Sequence, residues 1–220
     1  MNGLDLGIGA LEQDMWRVVF LMTRLGAALL AAPFFGATSV PMAVRISITG
    51  ALAIFVSIWM PAIATPPALL SLDGVLTIAG EVIVGLALGF VLQLAFAAPT
   101  VAAELIGGGM GMSMAVSQDA MGGGTTTSFG QYFMIVLTLI FLATGAHLHW
   151  IALVTESYNA FPPGQTWLGA ERFGAIAGFA SFMFETALRI ALPVTLILLL
   201  VQVLTGILSR SAPSLNLFAL

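Results

Sequence analysis

The residues able to do chemistry in this sequence are few and scattered. It holds two histidines, no cysteine, ten acids and six basic residues, all of them arginine. His147 and His149 sit two apart, which on a helix turns them roughly 200° from each other, so they do not share a metal comfortably. No HExxH run and no cysteine completes a zinc site. An interfacial, hydrogen-bonded role suits both rings better. Ser113, Ser117 and Ser128 supply hydroxyls and His147 a base, but a triad is a matter of geometry and no spacing here signals a dyad. Without thiols there is no disulfide framework and no thiolate redox site. No catalytic, cofactor or metal role is assigned, and the chain does not read as an enzyme.

The remaining charges stand out because they lie inside apolar runs. Arg17 and Arg24 are seven residues apart, nearly two helical turns, and so share a face. An arginine at mid-bilayer costs at least about 2.5–3.5 kcal/mol on insertion scales. Arg17 can snorkel to the interface, whereas Arg24 reads as half of a structural ion pair rather than as transport chemistry. Glu185 and Arg189 are four apart with the acid first, the better order for a helical pair. Glu81, Gly85, Gly89 and Gln93 follow at steps of four, a stripe whose small residues let helix backbones approach. It favours packing against another helix over ligand binding.

These residues need membrane helices to position them. Hydrophobic residues make up 60% of the 220, charged residues 7%, and mean hydropathy is +1.08; a soluble domain is about a quarter charged. With no basic cluster, nucleic-acid binding has nothing to rest on. The first fourteen residues carry Asp5, Glu12 and Asp14 and no basic residue, unlike a cleavable signal. The expected fold is an all-α integral membrane protein, one domain over 1–220, with about five to six apolar helices, some kinked or in hairpins. Spans are expected at 15–33, 42–60, 75–98 and 132–153. A fifth stretch, 173–209, is too long for one crossing of about 20 residues, and Pro193 should kink or break it. The apolar run at 215–220 stops abruptly, as if the chain were cut short.

Between the third and fourth spans lies 103–131. Gly107, Gly108, Gly109 and Gly111, then Gly122, Gly123 and Gly124, make helix across both clusters improbable, each costing roughly 1 kcal/mol relative to alanine. Met110, Met112 and Met114 alternate with small residues, and Met121 follows. Methionine adapts its shape to what it touches. The segment reads either as a deformable seal or as a mobile surface loop.

Several pieces together resemble the FliR family, the flagellar export-gate subunit with relatives in injectisome type III secretion. The arginine-bearing first helix, the Pro33-Phe34-Phe35-Gly36 turn and the Val40-Pro41 to Arg45 stretch resemble that family's start. Glu81 through Gly85, Gly89 and Phe90 is similar to its Glu-x-x-x-Gly-x-x-x-Gly-Phe helix. Ala103-Glu104 to Gly107, with Met110 to Ser113, resembles the beginning of its central loop. The stretch 141–164 and Leu192-Pro193 through Pro213 and Asn216 resemble its later segments. Differences are Ala146 following Gly145 where the family has Asp-Gly-His, Ala120 where it commonly has Pro, and an end at residue 220 where relatives continue.

The resemblance implies a structural subunit in the bacterial inner membrane, within the flagellar basal body. It would assemble with FliP-like and FliQ-like gate subunits and with FlhB-like and FlhA-like export components, around a passage for unfolded export substrates. The 103–131 loop would act as a plug. Arg17, Arg24, Glu81, Gly85, Gly89, Glu104, Glu185 and Arg189 would serve packing and ion pairing. An injectisome gate subunit and a small secondary transporter with a broken helix are the alternatives, although no convincing internal repeat supports the transporter.

Overall fold

The computed structural model describes residues 8–66, 71–110, 116–118, 125–165 and 169–211. Six helices appear in chain order: α1 Ile8–Ala31, α2 Met42–Trp59, α3 Leu72–Gly109, α4 Ser128–Ala143, α5 Ala146–Ala160 and α6 Ala170–Ser211. A two-stranded antiparallel ribbon, β1 Val116–Gln118 and β2 Thr125–Thr127, lies between α3 and α4, pairing Val116 with Thr127. Among the described residues the fold is all-helical apart from this ribbon. α2, α3 and α6 are each long and apolar enough to cross a membrane, and the bent α4–α5 pair could supply a fourth crossing. α1, expected as the first span, is not among them, because Glu12, Asp14, Arg17 and Arg24 all lie along it.

Side-chain polarity decides which faces meet. From α1, Leu21, Leu25, Ala28 and Leu29 form a core with Ala53 and Val56 of α2 and with Trp150, Val154 and Tyr158 of α5. A second contact joins α3 to α6 through Ala102, Ile106, Ala187 and Ala191, extended by Leu94, Ala98 and Met183. Alanines there let the two long helices come close. The rest of α6 is largely uncovered, with Leu196, Ile197, Leu199 and Leu200 more than half exposed. Apolar side chains left out in this way suit lipid or further protein, not water.

Three expectations about helix ends need correction. The third span was expected to stop at 98, yet α3 continues through Pro99 and through Gly107, Gly108 and Gly109. Proline and glycine penalties are local, whereas an apolar setting penalises every unmade backbone hydrogen bond by several kcal/mol. Packing of Ala102, Ala103 and Ile106 adds burial along the same stretch. For the same reason α6 is one helix of 42 residues that continues through Pro193 instead of breaking there. Conversely, 132–153 is not a single rod. It divides at Thr144–Gly145 with a 71° bend, where Gly145 takes φ +70°, a left-handed conformation that glycine adopts without steric penalty.

Candidate functional site

The most specific assembly is a buried charge knot where α1, α3 and α5 meet. Arg24 is 1% exposed and Glu81 2%, so neither charge is solvated and each depends on the other. Arg24 Nε donates to Glu81 Oε2 at 2.8 Å and Nη2 to Oε1 at 2.7 Å, a fork geometry that binds both carboxylate oxygens. The same guanidinium donates to Ser157 Oγ at 3.1 Å and to the Phe161 carbonyl at 2.7 Å. Its Cζ lies over the Tyr158 ring, 4.1 Å from the centroid. Tyr158 in turn donates to the Leu21 carbonyl at 2.9 Å, one helical turn before Arg24. Charge, ring and hydroxyl tie α5 back to α1.

Gly85 and Gly89 make this approach possible. A Cβ on Gly85 would overlap the Arg24 carbonyl oxygen, and one on Gly89 would sit 2.5 Å from the Ala28 carbonyl oxygen and 2.6 Å from Ala31 Cβ. The glycine stripe of α3 thus seats α1 backbone to backbone, and Glu81 one turn earlier meets Arg24. Gln93, the last of the stripe, is exposed and lines a cavity of about 330 Å³ beside the Pro33–Phe34 turn instead of joining the helix contact. There Phe34 takes φ +72°, and Phe35 stacks on Trp150 with centroids 6.0 Å apart.

The other charges take separate places. Arg17 donates to the Met60 carbonyl at 2.8 Å, where a cation complements the carboxyl end of α2. Arg45 donates to the Ala37 carbonyl. Glu185 and Arg189 pair at 2.6 Å on the exposed surface of α6, where such a pair contributes little. Glu104 accepts from the Thr127 backbone N–H at 3.0 Å and from its hydroxyl at 3.1 Å. Thr127 also caps α4 by accepting from Gly130 N–H at 3.1 Å. Gln202 of α6 donates to the Gly109 carbonyl at 2.6 Å. Both ends of the glycine- and methionine-rich segment are therefore held against the helices. Met110 is at the end of α3 and 39% exposed, while Gly111, Met112, Met114, Met121, Gly122, Gly123 and Gly124 lie outside the described residues.

His147 packs its ring on Phe141, centroids 6.1 Å apart, and His149 Nδ1 lies 3.3 Å from the Gly145 carbonyl oxygen. Among the described residues no group of three or more histidines and acids could hold a metal ion. Ser157, Tyr158, Thr127 and Gln202 carry no signal in the sequence. Their partners lie 23 to 137 residues away, and no local pattern marks such contacts.

Residues 15–220 match the family described as bacterial export proteins, family 1. The chain belongs to this family. It is similar to the flagellar biosynthetic protein FliR of Pectobacterium carotovorum subsp. carotovorum, 31% identical over 99% of this chain and 80% of the relative. FliR of Escherichia coli K12 is 29% identical over 90% of this chain and 76% of the relative. The surface presentation of antigens protein SpaR of Shigella flexneri is 32% identical over 63% of this chain and 54% of the relative. As a FliR-family member the chain is a structural membrane component of an export apparatus, not an enzyme. The Arg24–Glu81 knot holds α1, α3 and α5 of one chain together.

Proposed function

We propose that the protein is a structural subunit of the flagellar type III protein export gate in the bacterial inner membrane. It would assemble with FliP-like and FliQ-like subunits, and with FlhB-like and FlhA-like components, around a passage for unfolded flagellar proteins. The observation that carries this reading is the likeness to flagellar FliR over almost the whole chain. The apolar surface of α6 supports it, since a long helix with so little of its length buried in its own subunit has room for companions.

In this reading the 103–131 segment closes the passage, with Met110, Met112 and Met114 as the seal. A pore that admits varied side chains yet holds back ions needs a closure that yields and reforms. Methionine supplies adaptable contact area and glycine a backbone free to swing. Glu104 and Gln202 hold the base from which such a closure would work. The injectisome alternative draws on the likeness to SpaR, which spans less of both chains.

Affinity purification of the full chain in mild detergent tests the assignment. The expected result is recovery in one complex with the FliP-like and FliQ-like proteins. Recovery alone, together with transport of a small solute in liposomes, would establish a transporter instead.

A further inference from the structure

α6 changes character at Pro193. Before it, Met183, Ala187 and Ala191 are buried against α3. After it, Leu196, Leu200, Leu204 and Leu208 are each more than half exposed, and the face carrying Leu198 and Gln202 is the one that reaches α3. The two helices run parallel. Leu94 and Ala98 pack with Met183, and Ala102 and Ile106 with Ala187 and Ala191. A Cβ on Gly109 would lie 3.5 Å from Leu198 Cδ1. Pro193 therefore stands about level with the Gly107–Gly109 end of α3.

Both helices are soft at that level. Pro193 brings no N–H, so the Arg189 carbonyl loses its helical donor. Just beyond, the Thr195 hydroxyl donates to the Ala191 and Leu192 carbonyls at 3.0 and 3.1 Å, back-bonding that favours a bend. Across from it, three successive glycines make the least stiff turn of α3, and the Met110 N–H is shared between the Ile106 and Gly107 carbonyls at 3.1 and 3.2 Å. Gln202 Nε2 then ties the bare arm of α6 to this soft end through the Gly109 carbonyl, at 2.6 Å. The neighbouring parts are fixed. Thr127, at the start of α4, is held by Glu104, and the lower half of α3 is seated on α1 by Arg24, Gly85 and Gly89.

We infer that α6 beyond Pro193 is a lever, which swings about that proline and carries the Gly107–Met110 end of α3 with it through Gln202. Residue 110 thus rides on the moving side while residue 127 stays on the fixed one. In the proposed gate, companions covering the bare arm would pass their movement to the start of the closing segment. That use rests on the export-gate reading; the lever itself rests on the geometry of the chain.

The chain has no cysteine, so spin labels can be placed in chosen pairs on the purified full chain in mild detergent. Tyr132→Cys, on exposed surface of α4, is the fixed reference, paired in one protein with Leu204→Cys and in another with Met110→Cys. Leu204 stands at the end of about 16 Å of arm measured from Pro193, so the swing of about 20° that marks a proline bend moves it by roughly 6 Å. Pro193→Ala restores the missing donor and should narrow both distance distributions, the Leu204 one by about that amount. On a Gln202→Leu background, Pro193→Ala should narrow the Leu204 distribution and leave the Met110 one unchanged. Distributions as narrow with proline as with alanine overturn the hinge. Narrowing at Met110 that persists without Gln202 overturns the coupling. Because the labels report on the isolated chain, either result sinks the lever and leaves the export-gate reading standing.

Discussion

Breaking the Arg24–Glu81 knot from either side should destabilise the subunit far more than removing it whole. Removing one partner of a buried ion pair costs about 3–5 kcal/mol, because the survivor stays desolvated without its countercharge. Glu81→Leu leaves a guanidinium that still reaches Ser157 and the Phe161 carbonyl, which places it toward the lower end. Arg24→Met strands the carboxylate and releases the Phe161 carbonyl as well, which places it toward the upper end. The double variant Arg24→Met/Glu81→Leu leaves no buried charge; its main unmet group is that carbonyl, worth about 1–3 kcal/mol. The two single costs thus sum to about 6–10 kcal/mol, several times the cost of the double. Denaturant titration of the protein in mild detergent, followed by tryptophan fluorescence, measures all four corners of the cycle. Additive single effects, or singles below about 1 kcal/mol, would refute the reasoning, since an exposed pair behaves that way.

Three further outcomes are expected. Gly85→Leu should destabilise by more than the about 1–3 kcal/mol usual for overpacking, because its Cβ would meet α1 backbone. Gly80→Ala, with no neighbour within 4 Å, should be neutral or stabilise by about 0.5–1 kcal/mol; thermal unfolding of the two variants compares them, and equal effects would contradict a close α1–α3 approach. Glu104→Leu removes both contacts to Thr127 and should raise ion leakage through assembled complexes without lowering partner recovery, whereas Glu104→Gln, which still accepts a hydrogen bond, should leak less.

How much of this could be read in advance depends on the range of the forces involved. Gly85 and Gly89 mark a helix contact by spacing alone, and an arginine with no lipid-compatible place implies a countercharge. Neither fact names α1 as the partner of α3. That pairing depends on Arg24 and Glu81 meeting across 57 residues, with Ser157 and Phe161 arriving from further still. Local propensity alone makes Pro99 and the first glycine cluster helix ends and Pro193 a kink or a break. The helices cross them because unmade backbone hydrogen bonds in apolar surroundings cost more than the propensity terms. Gly145 is the opposite case. A lone glycine inside an apolar run gives little warning of the left-handed turn that splits α4 from α5. All-helical membrane character, in contrast, follows from composition alone.

The proposed closure is tested most directly by conductance. Purified complexes containing this subunit, with residues 110–126 replaced by a short flexible linker, would be reconstituted in planar bilayers beside unaltered complexes. The account predicts a steady ion leak through the shortened form and silence in the intact one. Equal silence from both, with partners still bound, would contradict it.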